Sequence, residues 1–387
     1  MLGSHLTARS PLAEKARALI PMIDEHADFA DDKGRLADPV VAALHRDGLF
    51  TMWLPKVLGG VELGPVQSLE VLENLSYADA SAGWVVMAAS LSVGTAGAYL
   101  SDEAVDTLFG QGGRPVIAGQ GTRPGVAIPD GKGFRLSGSW SFASGLLHGT
   151  HIHTLAIIEG TGEPRIFVLP VEKAKLLGNW DVIGLRGTGS IDYTIDNAYV
   201  PDGWSHFAVT ETPKRGGSIY QVGIIGFAEQ CHTGWAMGVG RRMLDELALL
   251  AQGKAGRAGS QSDSSIFLEG FAKFEGRFRG ARALAIEAWG DVAETFARGG
   301  RLSVRQQTLV RLALVNITDT LHELGNYVYL AAGTTSLRRG TLQRLIRDVH
   351  AGTQHITSGP GVRQSCGREL AGLAAGKVWQ FLDLVPG

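Results

Sequence analysis

Three histidines lie close together between His148 and His153, and they are the first candidates for chemistry. His151 and His153 are two residues apart, so on a strand they would share one face, as ligands to a metal ion must, and Glu159 follows them. The chain around them is mostly helical in pattern, and no second ligand motif follows. Two strand histidines on an ordinary surface or interface explain the spacing better, so we predict no metal site. His148 stays a candidate for lining a binding pocket.

A histidine and a serine are stronger candidates for proton transfer and hydrogen bonding. His355 ends the segment Arg347-Asp-Val-His-Ala-Gly-Thr-Gln-His355. A neutral imidazole, with a pKa of about 6.5, can accept or donate a proton near neutral pH. Ser144 lies in Trp140-Ser-Phe-Ala-Ser-Gly145, where its hydroxyl could hydrogen-bond a ligand. A lone histidine at a helix end is usually structural and a strand serine usually has no role, so both alternatives stay open on the residues alone.

A glycine-rich segment, Trp180-Asp-Val-Ile-Gly-Leu-Arg-Gly-Thr-Gly-Ser190, could approach another molecule closely. A strand-like stretch leads into its turn, and the alternating residues 191–196 predict a returning strand. Three glycines within six residues allow close backbone contact, while Arg186 and two hydroxyls can face anionic or polar groups. A plain connection between strands is the alternative interpretation.

These candidates need a scaffold, and the hydrophobic period of the chain indicates its form. Residues 11–112 carry apolar residues at helical spacing, and within them residues 85–100 predict a close-packed buried helix. Residues 115–212 change to the period of two that is typical of strands, with a hairpin turn at Asp130-Gly131. Helices dominate again after residue 218. The order of helices, sheet and helices predicts an α+β protein.

Composition and charge exclude several classes of function. The chain has 387 residues, 44% of them hydrophobic, and a formal net charge of −2. This length can bury two or three domains, and the charge argues against a nucleic-acid or membrane-surface partner. Cys231 and Cys366 lie far apart and fit no disulfide framework or zinc motif. No signal peptide or membrane-spanning run is evident, so we expect a cytoplasmic protein.

Several motifs together resemble the acyl-CoA dehydrogenase superfamily, and most closely its flavin-dependent monooxygenase branch. The glycine-rich segment resembles the branch's W-x-V-x-G-L-R-G-T-G-S motif. The other matching segments, in chain order, are Pro55-x-x-x-Gly-Gly60, Tyr77-Ala-Asp-Ala-Ser-Ala-Gly-Trp84, Ser137-Gly-Ser-Trp-Ser-Phe-Ala-Ser-Gly145 and Arg344-x-x-Arg347-Asp348. The resemblance implies an acyl-CoA dehydrogenase-like α+β fold. Its expected parts are an N-terminal helical domain (1–113), a central antiparallel β-domain (114–215) and a C-terminal four-helix-type bundle (216–387).

The resemblance also implies where a flavin would bind. Ser144 would hydrogen-bond the flavin ring near N5, Phe142 would pack against the ring, and Gln120 and Thr122 lie in the loop that would meet the pyrimidine end. Arg257 and Gly333 correspond to positions that reach the flavin phosphates across a subunit boundary, which implies a homotetramer. The segment before Gly333 lacks the usual double glycine, so FAD and FMN both stay open.

The catalytic and substrate residues follow from the same resemblance. Common acyl-CoA dehydrogenases carry a catalytic Glu near position 355, whereas the monooxygenase branch places a His there. The resemblance therefore implies His355 as base or proton donor, and Ser144 as the residue that stabilises a C4a-hydroperoxide of the flavin. Trp84, Trp140 and His148 are candidates for the substrate wall.

The function implied is that of the oxygenase component of a two-component flavin-dependent monooxygenase. It would use reduced flavin and O2 to hydroxylate or oxidise an aromatic or heteroatom-containing small molecule. The chain has no G-x-G-x-x-G nicotinamide motif after a strand, so we expect a separate NAD(P)H-dependent flavin reductase as partner. The alternatives are an FAD-dependent acyl-CoA dehydrogenase and a catalytically inactive binding protein with the same fold.

Overall fold

The N-terminal part of the chain folds into helices. The computed structural model describes residues 10–256 and 262–387. The first seven α-helices are α1 (Pro11–Ala18), α2 (Ile20–Glu25), α3 (Ala27–Lys33), α4 (Asp38–Arg46), α5 (Pro65–Ala78), α6 (Ala80–Tyr99) and α7 (Asp102–Phe109). Their ends follow local chemistry, since the side chains of Ser10, Asp79 and Ser101 cap α1, α6 and α7 by accepting backbone N–H groups.

Helix α6 is the buried helix that the sequence predicts. Nearly all of its residues are buried, and small residues allow its neighbours to approach closely. A Cβ atom on Gly83 would lie 2.0 Å from the Ser76 Oγ, and one on Gly94 would lie 2.8 Å from the Trp53 Cβ. Within the described residues, α6 is the one helix long and apolar enough to cross a membrane, and 83% of its most apolar window is buried inside the protein. Packing within the protein therefore accounts for its apolar character.

A seven-stranded sheet follows the first helices. Its strands are β1 (Ile117–Asp130), β2 (Gly133–Trp140), β3 (His151–Ile158), β4 (Pro164–Pro170), β5 (Lys175–Leu176), β6 (Tyr193–Pro201) and β7 (Ser205–Phe207). They are arranged in the order β5-β6-β2-β1-β3-β4-β7. The predicted hairpin turn joins β1 to β2, where Asp130 pairs with Gly133 and Gly131 adopts a φ of 60°.

Two details of the sheet differ from the sequence-based expectation. The sheet is mixed rather than purely antiparallel, because β1 and β3 pair in parallel. The chain reverses direction between β1 and β2, and it reverses again between β2 and β3. Residues 141–150 carry it past β1, so that β3 pairs with the opposite side of β1 and runs in the same direction. The stretch before the glycine-rich turn is also not a strand: residues 177–185 contain no strand, and a short 3-10 helix at Arg186–Thr188 follows them.

After the sheet, the described residues form five α-helices and a hairpin. The helices are α8 (Gly223–Lys254), α9 (Ser265–Ala297), α10 (Val304–Ala332), α11 (Thr341–Gly352) and α12 (Pro360–Leu370). The sequence did not predict the terminal hairpin of β8 (Lys377–Gln380) and β9 (Asp383–Pro386). Trp379 fixes this hairpin to α10, since its Nε1 donates to the Thr308 Oγ1 at 2.9 Å and the Arg311 guanidinium lies 4.2 Å from its ring.

The hydrophobic core is continuous between the first and last helices. Its largest cluster includes residues from α1, α5, α6, α8, α9, α10 and α11, while a second cluster fills the sheet and contains Trp140, Phe167 and Tyr193. The two parts meet along the segment that connects β5 to β6, and the candidate site lies at this junction.

Candidate active site

Trp84 on α6 is the centre of a cluster of polar and aromatic side chains. Its Nε1 donates a hydrogen bond to the Ser144 Oγ at 3.0 Å. Its ring lies edge-on to three other rings, those of His232, Trp235 and His355, at centroid distances of 4.8, 5.2 and 6.0 Å. The structure therefore brings together three predicted site residues, Trp84, Ser144 and His355, which are far apart in sequence.

Close backbone contacts fix the elements that carry this cluster. The Trp235 Nε1 on α8 donates to the Ala80 carbonyl at the start of α6, at 3.0 Å. Gly352, at the end of α11, lies against the same indole, and a Cβ atom there would be only 2.2 Å from the Trp235 Cη2. Because neither contact leaves free space, α6, α8 and α11 hold Trp84, His232 and His355 in one arrangement.

A chain of hydroxyl groups extends from Trp84 into the glycine-rich segment. The Thr188 Oγ1 donates to the Leu185 carbonyl at 2.7 Å, and the Ser190 Oγ lies 2.7 Å from both Thr188 and Ser144. Each hydroxyl has one proton, so Ser190 must donate to Thr188, and Ser144 must donate to Ser190. The Ser144 oxygen, which also accepts from Trp84, is thus left as a hydrogen-bond acceptor toward any further partner.

Phe142 lies beside this chain with an unusual backbone and an exposed ring. Its φ is 65°, a left-handed conformation that is rare for a large side chain, and its backbone N–H donates to the Asp192 Oδ1 at 3.2 Å. The side chain is 66% exposed, with one edge on Trp180 at 6.2 Å. An aromatic face held open in this way can receive a flat ligand.

His355 forms a close pair with His232, a residue that the sequence analysis did not select. The two ring centroids are 3.7 Å apart with an interplanar angle of 30°. The His355 Nδ1 lies 2.8 Å from the Thr357 Oγ1 and accepts the Thr357 backbone N–H at 3.4 Å. An amide can only donate, so Nδ1 is an acceptor and neutral His355 carries its proton on Nε2.

Both imidazoles are neutral at neutral pH. Burial lowers the pKa of His355 to about 4. Burial, and next the charge of His355, lower the pKa of His232 well below its usual value. One sequence signal could have identified His232: it lies three residues before Trp235, so both side chains share one face of α8.

Asp348, the carboxylate of the Arg344-x-x-Arg347-Asp348 motif, has a structural role. Its Oδ1 accepts the Leu185 backbone N–H at 2.6 Å, which ties α11 to the glycine-rich segment. Burial, and next the charge of Asp79, raise the pKa of Asp348 to about 7. Within residues 10–256 and 262–387, no Asp or Glu side chain forms a hydrogen bond or ion pair with Trp84, His232 or His355.

Two of the predicted substrate-wall residues lie elsewhere. Trp140 is fully buried in the sheet core, where it stacks on Tyr193 at 5.3 Å and its Nε1 donates to the Leu155 carbonyl. Its prediction as a wall residue is therefore corrected, since a core side chain has no face open to a ligand. His148 lies close enough to Arg35 and Asp38 for their charges to act on it, and its Nε2 is buried without a partner among the described residues.

The remaining flavin candidates are distributed over three regions. Gln120 lies before the bulge in β1, and its Oε1 accepts the Arg123 backbone N–H at 2.9 Å. The backbone of Thr122 belongs to the same strand. Gly333 ends α10 with a φ of 58° and open space around it, whereas Arg257 lies outside the described residues.

The two strand histidines make separate contacts. His151 stacks on Trp204 at 6.1 Å, and His153 is buried close to His206. Within the described residues, no group of three His, Cys, Asp or Glu side chains could hold a metal ion.

A cleft elsewhere in the protein is a different feature from this cluster. It has a volume of about 440 Å³ and lies between the start of α8, α10 and the terminal hairpin. Its buried charges are those of Glu229 and Arg311, which pair with each other at 2.9 Å. None of the predicted site residues lines this cleft, so the Trp84 cluster is the better candidate for the active site.

The chain matches known family models in its N-terminal and C-terminal parts. Residues 10–105 match the family described as acyl-CoA dehydrogenase, N-terminal domain, and residues 230–359 match acyl-CoA dehydrogenase, C-terminal domain. These two matches together cover more than half of the chain. Among curated proteins, an indole-3-acetate monooxygenase of Pseudomonas putida is 28% identical over 371 residues, which cover 91% of this chain and 94% of the relative. The oxygenase subunit HsaA of a flavin-dependent monooxygenase from Rhodococcus jostii is 25% identical and covers 90% of this chain and 94% of its own length.

Solved structures share the fold over nearly the whole length. The 3-HSA hydroxylase from Rhodococcus sp. RHA1 has a TM-score of 0.89 at 21% identity and covers 96% of this chain and 99% of its own. XiaF from Streptomyces sp., solved in complex with FADH2 and glycerol, has a TM-score of 0.84 at 21% identity and covers 94% of this chain and 95% of its own. At these identities the structures establish the fold alone.

Proposed function

Because the chain belongs to the acyl-CoA dehydrogenase superfamily, in its flavin-dependent monooxygenase branch, we propose that it is the oxygenase component of a two-component monooxygenase. It would take up reduced flavin and O2 and oxidise an aromatic or heteroatom-containing small molecule. The single observation that carries this proposal is the Trp84 cluster, where an imidazole pair and a hydroxyl chain converge and no carboxylate of the described residues forms a hydrogen bond or ion pair with Trp84, His232 or His355.

The residues of the cluster fit a reduced flavin. The reduced ring has an N–H at position N5, and the Ser144 oxygen is left as an acceptor by its bonds to Trp84 and Ser190. The exposed ring of Phe142 offers a flat apolar surface next to Ser144. Backbone groups around Gln120 and Thr122 would meet the pyrimidine end of the ring. When bound, reduced flavin supplies the two electrons with which one oxygen atom of O2 reaches the substrate and the other leaves as water.

His355 and Ser144 would be the catalytic residues. Neutral His355 presents an N–H at Nε2, which suits it to donate a hydrogen bond to the reacting oxygen. Ser144 would hold the flavin ring and fix Trp84, which closes one side of the cluster. Exclusion of water from this region matters, because water promotes loss of activated oxygen as hydrogen peroxide.

The substrate would be a small aromatic or heteroatom-containing compound. Trp84 and Trp235 provide apolar ring faces and edges next to the imidazole pair, whereas His148 lies outside this cluster. The relatives' names include indole-3-acetate and resorcinol as compounds oxidised, which agrees with aromatic side chains around the site.

A separate flavin reductase would supply the reduced cofactor. The relatives described as oxygenase subunits or components imply such a division of labour. We also propose a cytoplasmic homotetramer in which Arg257 and Gly333 of one subunit contact the flavin of its neighbour. A multi-donor arginine and an open glycine turn are suited to the phosphates of FAD or FMN.

The acyl-CoA dehydrogenase alternative lacks a base of the expected type. An α-proton of a thioester is removed by a carboxylate in such enzymes, and in the described part of the chain no carboxylate contacts the cluster. The inactive binding protein is the other alternative, and it predicts no oxygen-dependent product at all.

A single experiment separates the three. The protein is mixed without oxygen with chemically reduced FAD or FMN, binding is titrated, and ¹⁸O2 is then admitted together with indole or resorcinol. Saturable binding of reduced flavin and one ¹⁸O atom in the product would support the oxygenase. Oxidation of an acyl-CoA thioester by bound FAD would support the dehydrogenase, and the absence of flavin binding would support the inactive protein.

A further inference from the structure

His232 has the features of a catalytic group although no motif points to it. The residue is 8% exposed, yet among the described residues neither of its ring nitrogens has a hydrogen-bond partner. Both nitrogens retain some solvent-accessible surface. A mostly buried imidazole with two accessible, unpaired nitrogens is placed to meet a ligand, because leaving them unpaired has no structural benefit.

The surroundings of His232 indicate the kind of ligand. Its ring lies 4.8 Å from the Trp84 ring and 3.7 Å from that of His355, and Trp235 shares its helix face. These walls are aromatic, so they suit an aromatic ring with a polar hydrogen. His355 is committed to a different role, since its Nδ1 binds Thr357 and its Nε2 carries a proton.

We propose that His232 is the catalytic base of this site and accepts the proton from the O–H or N–H of an aromatic substrate. His355 has a different role, since its Nε2–H donates a hydrogen bond. The inference rests on the proposed function and adds a division of roles between the two histidines. The O–H or N–H bond of the substrate breaks, an N–H bond forms on His232, and the electron pair stays on the substrate. The imidazolium then returns its proton to water before the next turnover.

This assignment agrees with the electrostatics of the pair. Both rings are neutral at rest, so His232 has a free lone pair for the substrate proton. The proton donated by the substrate leaves an anion next to the new imidazolium, and the attraction between these two charges reduces the cost of burying them. Electron density released into the aromatic ring in this way favours its reaction with electrophilic oxygen.

A binding experiment tests the proposal without any flavin. Isothermal titration measures the affinity of the full-length protein for anisole, phenol and 4-cyanophenol, at a pH where both phenols are neutral. Anisole lacks the proton, and 4-cyanophenol is a stronger acid than phenol. If the phenol donates to His232, affinity rises from anisole to phenol to 4-cyanophenol, with a total spread of about tenfold, the worth of one hydrogen bond.

Three variants decide which residue produces the spread. His232→Phe should reduce it to about twofold or less, and His232→Gln, which keeps a weaker acceptor, should give an intermediate spread. His355→Gln should retain the spread. A hydrogen bond that His355 donates to the phenol oxygen would favour phenol, the weaker acid, over 4-cyanophenol, so it cannot produce a spread in this direction. His350→Gln is the matched control, since His350 pairs with His322 at 5.3 Å outside the cluster.

The outcomes are decisive in both directions. Loss of the spread in the His232 variants, with unchanged unfolding temperatures, supports the proposal. A spread that persists in His232→Phe, a spread lost in His355→Gln, or a wild type that binds no phenol overturns it. A wild type that shows the spread but never binds reduced flavin would refute the proposed function alone.

Discussion

The Ser144 hydroxyl uses its proton and one of its two lone pairs in hydrogen bonds within the protein. It accepts from the Trp84 Nε1 and donates to Ser190, so its remaining lone pair can only accept. The orientation of this hydroxyl is fixed by the Leu185 carbonyl at the far end of the chain, through Thr188. The neighbouring hydrogen bonds thus determine that Ser144 can act toward a ligand only as a hydrogen-bond acceptor.

Replacing Ser144 with Ala should uncouple oxygen consumption from product formation. The variant loses the acceptor for the flavin and leaves Trp84 without its partner, so the ratio of product to hydrogen peroxide should fall on the order of tenfold. Peroxide and product are measured in parallel with chemically reduced flavin. Ser139→Ala, an exposed serine before Trp140, is the control and should leave the ratio unchanged.

His355→Ala should abolish oxygenation while reduced flavin still binds. The variant removes the Nε2–H donor, and a positioned acid–base group is worth about 10²- to 10⁴-fold in rate. Single-turnover assays with reduced flavin measure the rate, and anaerobic titration measures binding. His350→Ala should behave as wild type, and an active His355→Ala variant would remove His355 from the mechanism.

Sequence reasoning found some of these residues and missed others for physical reasons. Ser144 and His355 lie within motifs, and the structure places both against Trp84. His232 lies in an apolar helix, where a histidine looks like a core residue until its neighbours are known. Trp140 was misassigned because it precedes Phe142 and Ser144 by only a few residues, yet strand alternation turns its side chain into the sheet core.

At the level of elements, residues 141–150 connect two strands on opposite sides of β1. The connection passes the end of β1 beside α6, where Gly145 adopts a φ of 79° with Val85 close by. This crossing is what brings Phe142 and Ser144 to the helices. Strand alternation predicts β2, β3 and β4 well, but the order of strands depends on long-range pairing and could not be predicted from it.

Gly352→Ala should destabilise the junction of α8 and α11. The new methyl group would lie 2.2 Å from the Trp235 Cη2, so Trp235 or the end of α11 must move, at a cost of about 1–3 kcal/mol. Chemical denaturation measures the free energy of unfolding. Gly367→Ala in α12 is the matched control, because no heavy atom lies within 4 Å of its added Cβ. An equal effect of both substitutions would contradict the packing argument.

At the scale of the whole molecule, a buried network joins the helices to the glycine-rich segment. Asp348 on α11 accepts the Leu185 N–H at 2.6 Å, and the Arg344 Nε lies 3.6 Å from the Asp79 Oδ2 at the start of α6. The motifs identified these segments by resemblance, but the contacts between them became visible only in the structure. The terminal hairpin was not predicted, because its strands are only four residues each and their stability comes from Trp379 and α10.

The stability of the protein should depend on pH through Asp348. Burial raises the pKa of its carboxyl to about 7, from 3.8, so the folded state keeps a proton that the unfolded state releases. The stability that protonated Asp348 contributes to the folded state is fully present below about pH 4 and is lost as the pH rises toward about 7. Asp348→Asn keeps the acceptor for Leu185 without the charge.

Denaturant unfolding of both proteins at about pH 5 and about pH 8 measures this effect. The wild type should lose stability relative to Asp348→Asn at the higher pH. A difference that is the same at both pH values would show that Asp348 does not titrate in this range.

The position of Trp84 makes the site observable as well as reactive. Its indole touches the hydroxyl chain on one side and the imidazole pair on the other, so any molecule that enters between them must change the surroundings of this one chromophore. The difference in fluorescence emission between the wild type and Trp84→Phe, which is the emission of Trp84, should therefore report whether a ligand occupies the site. Such a signal would follow the arrival of cofactor and substrate in real time, in a protein that needs no added label.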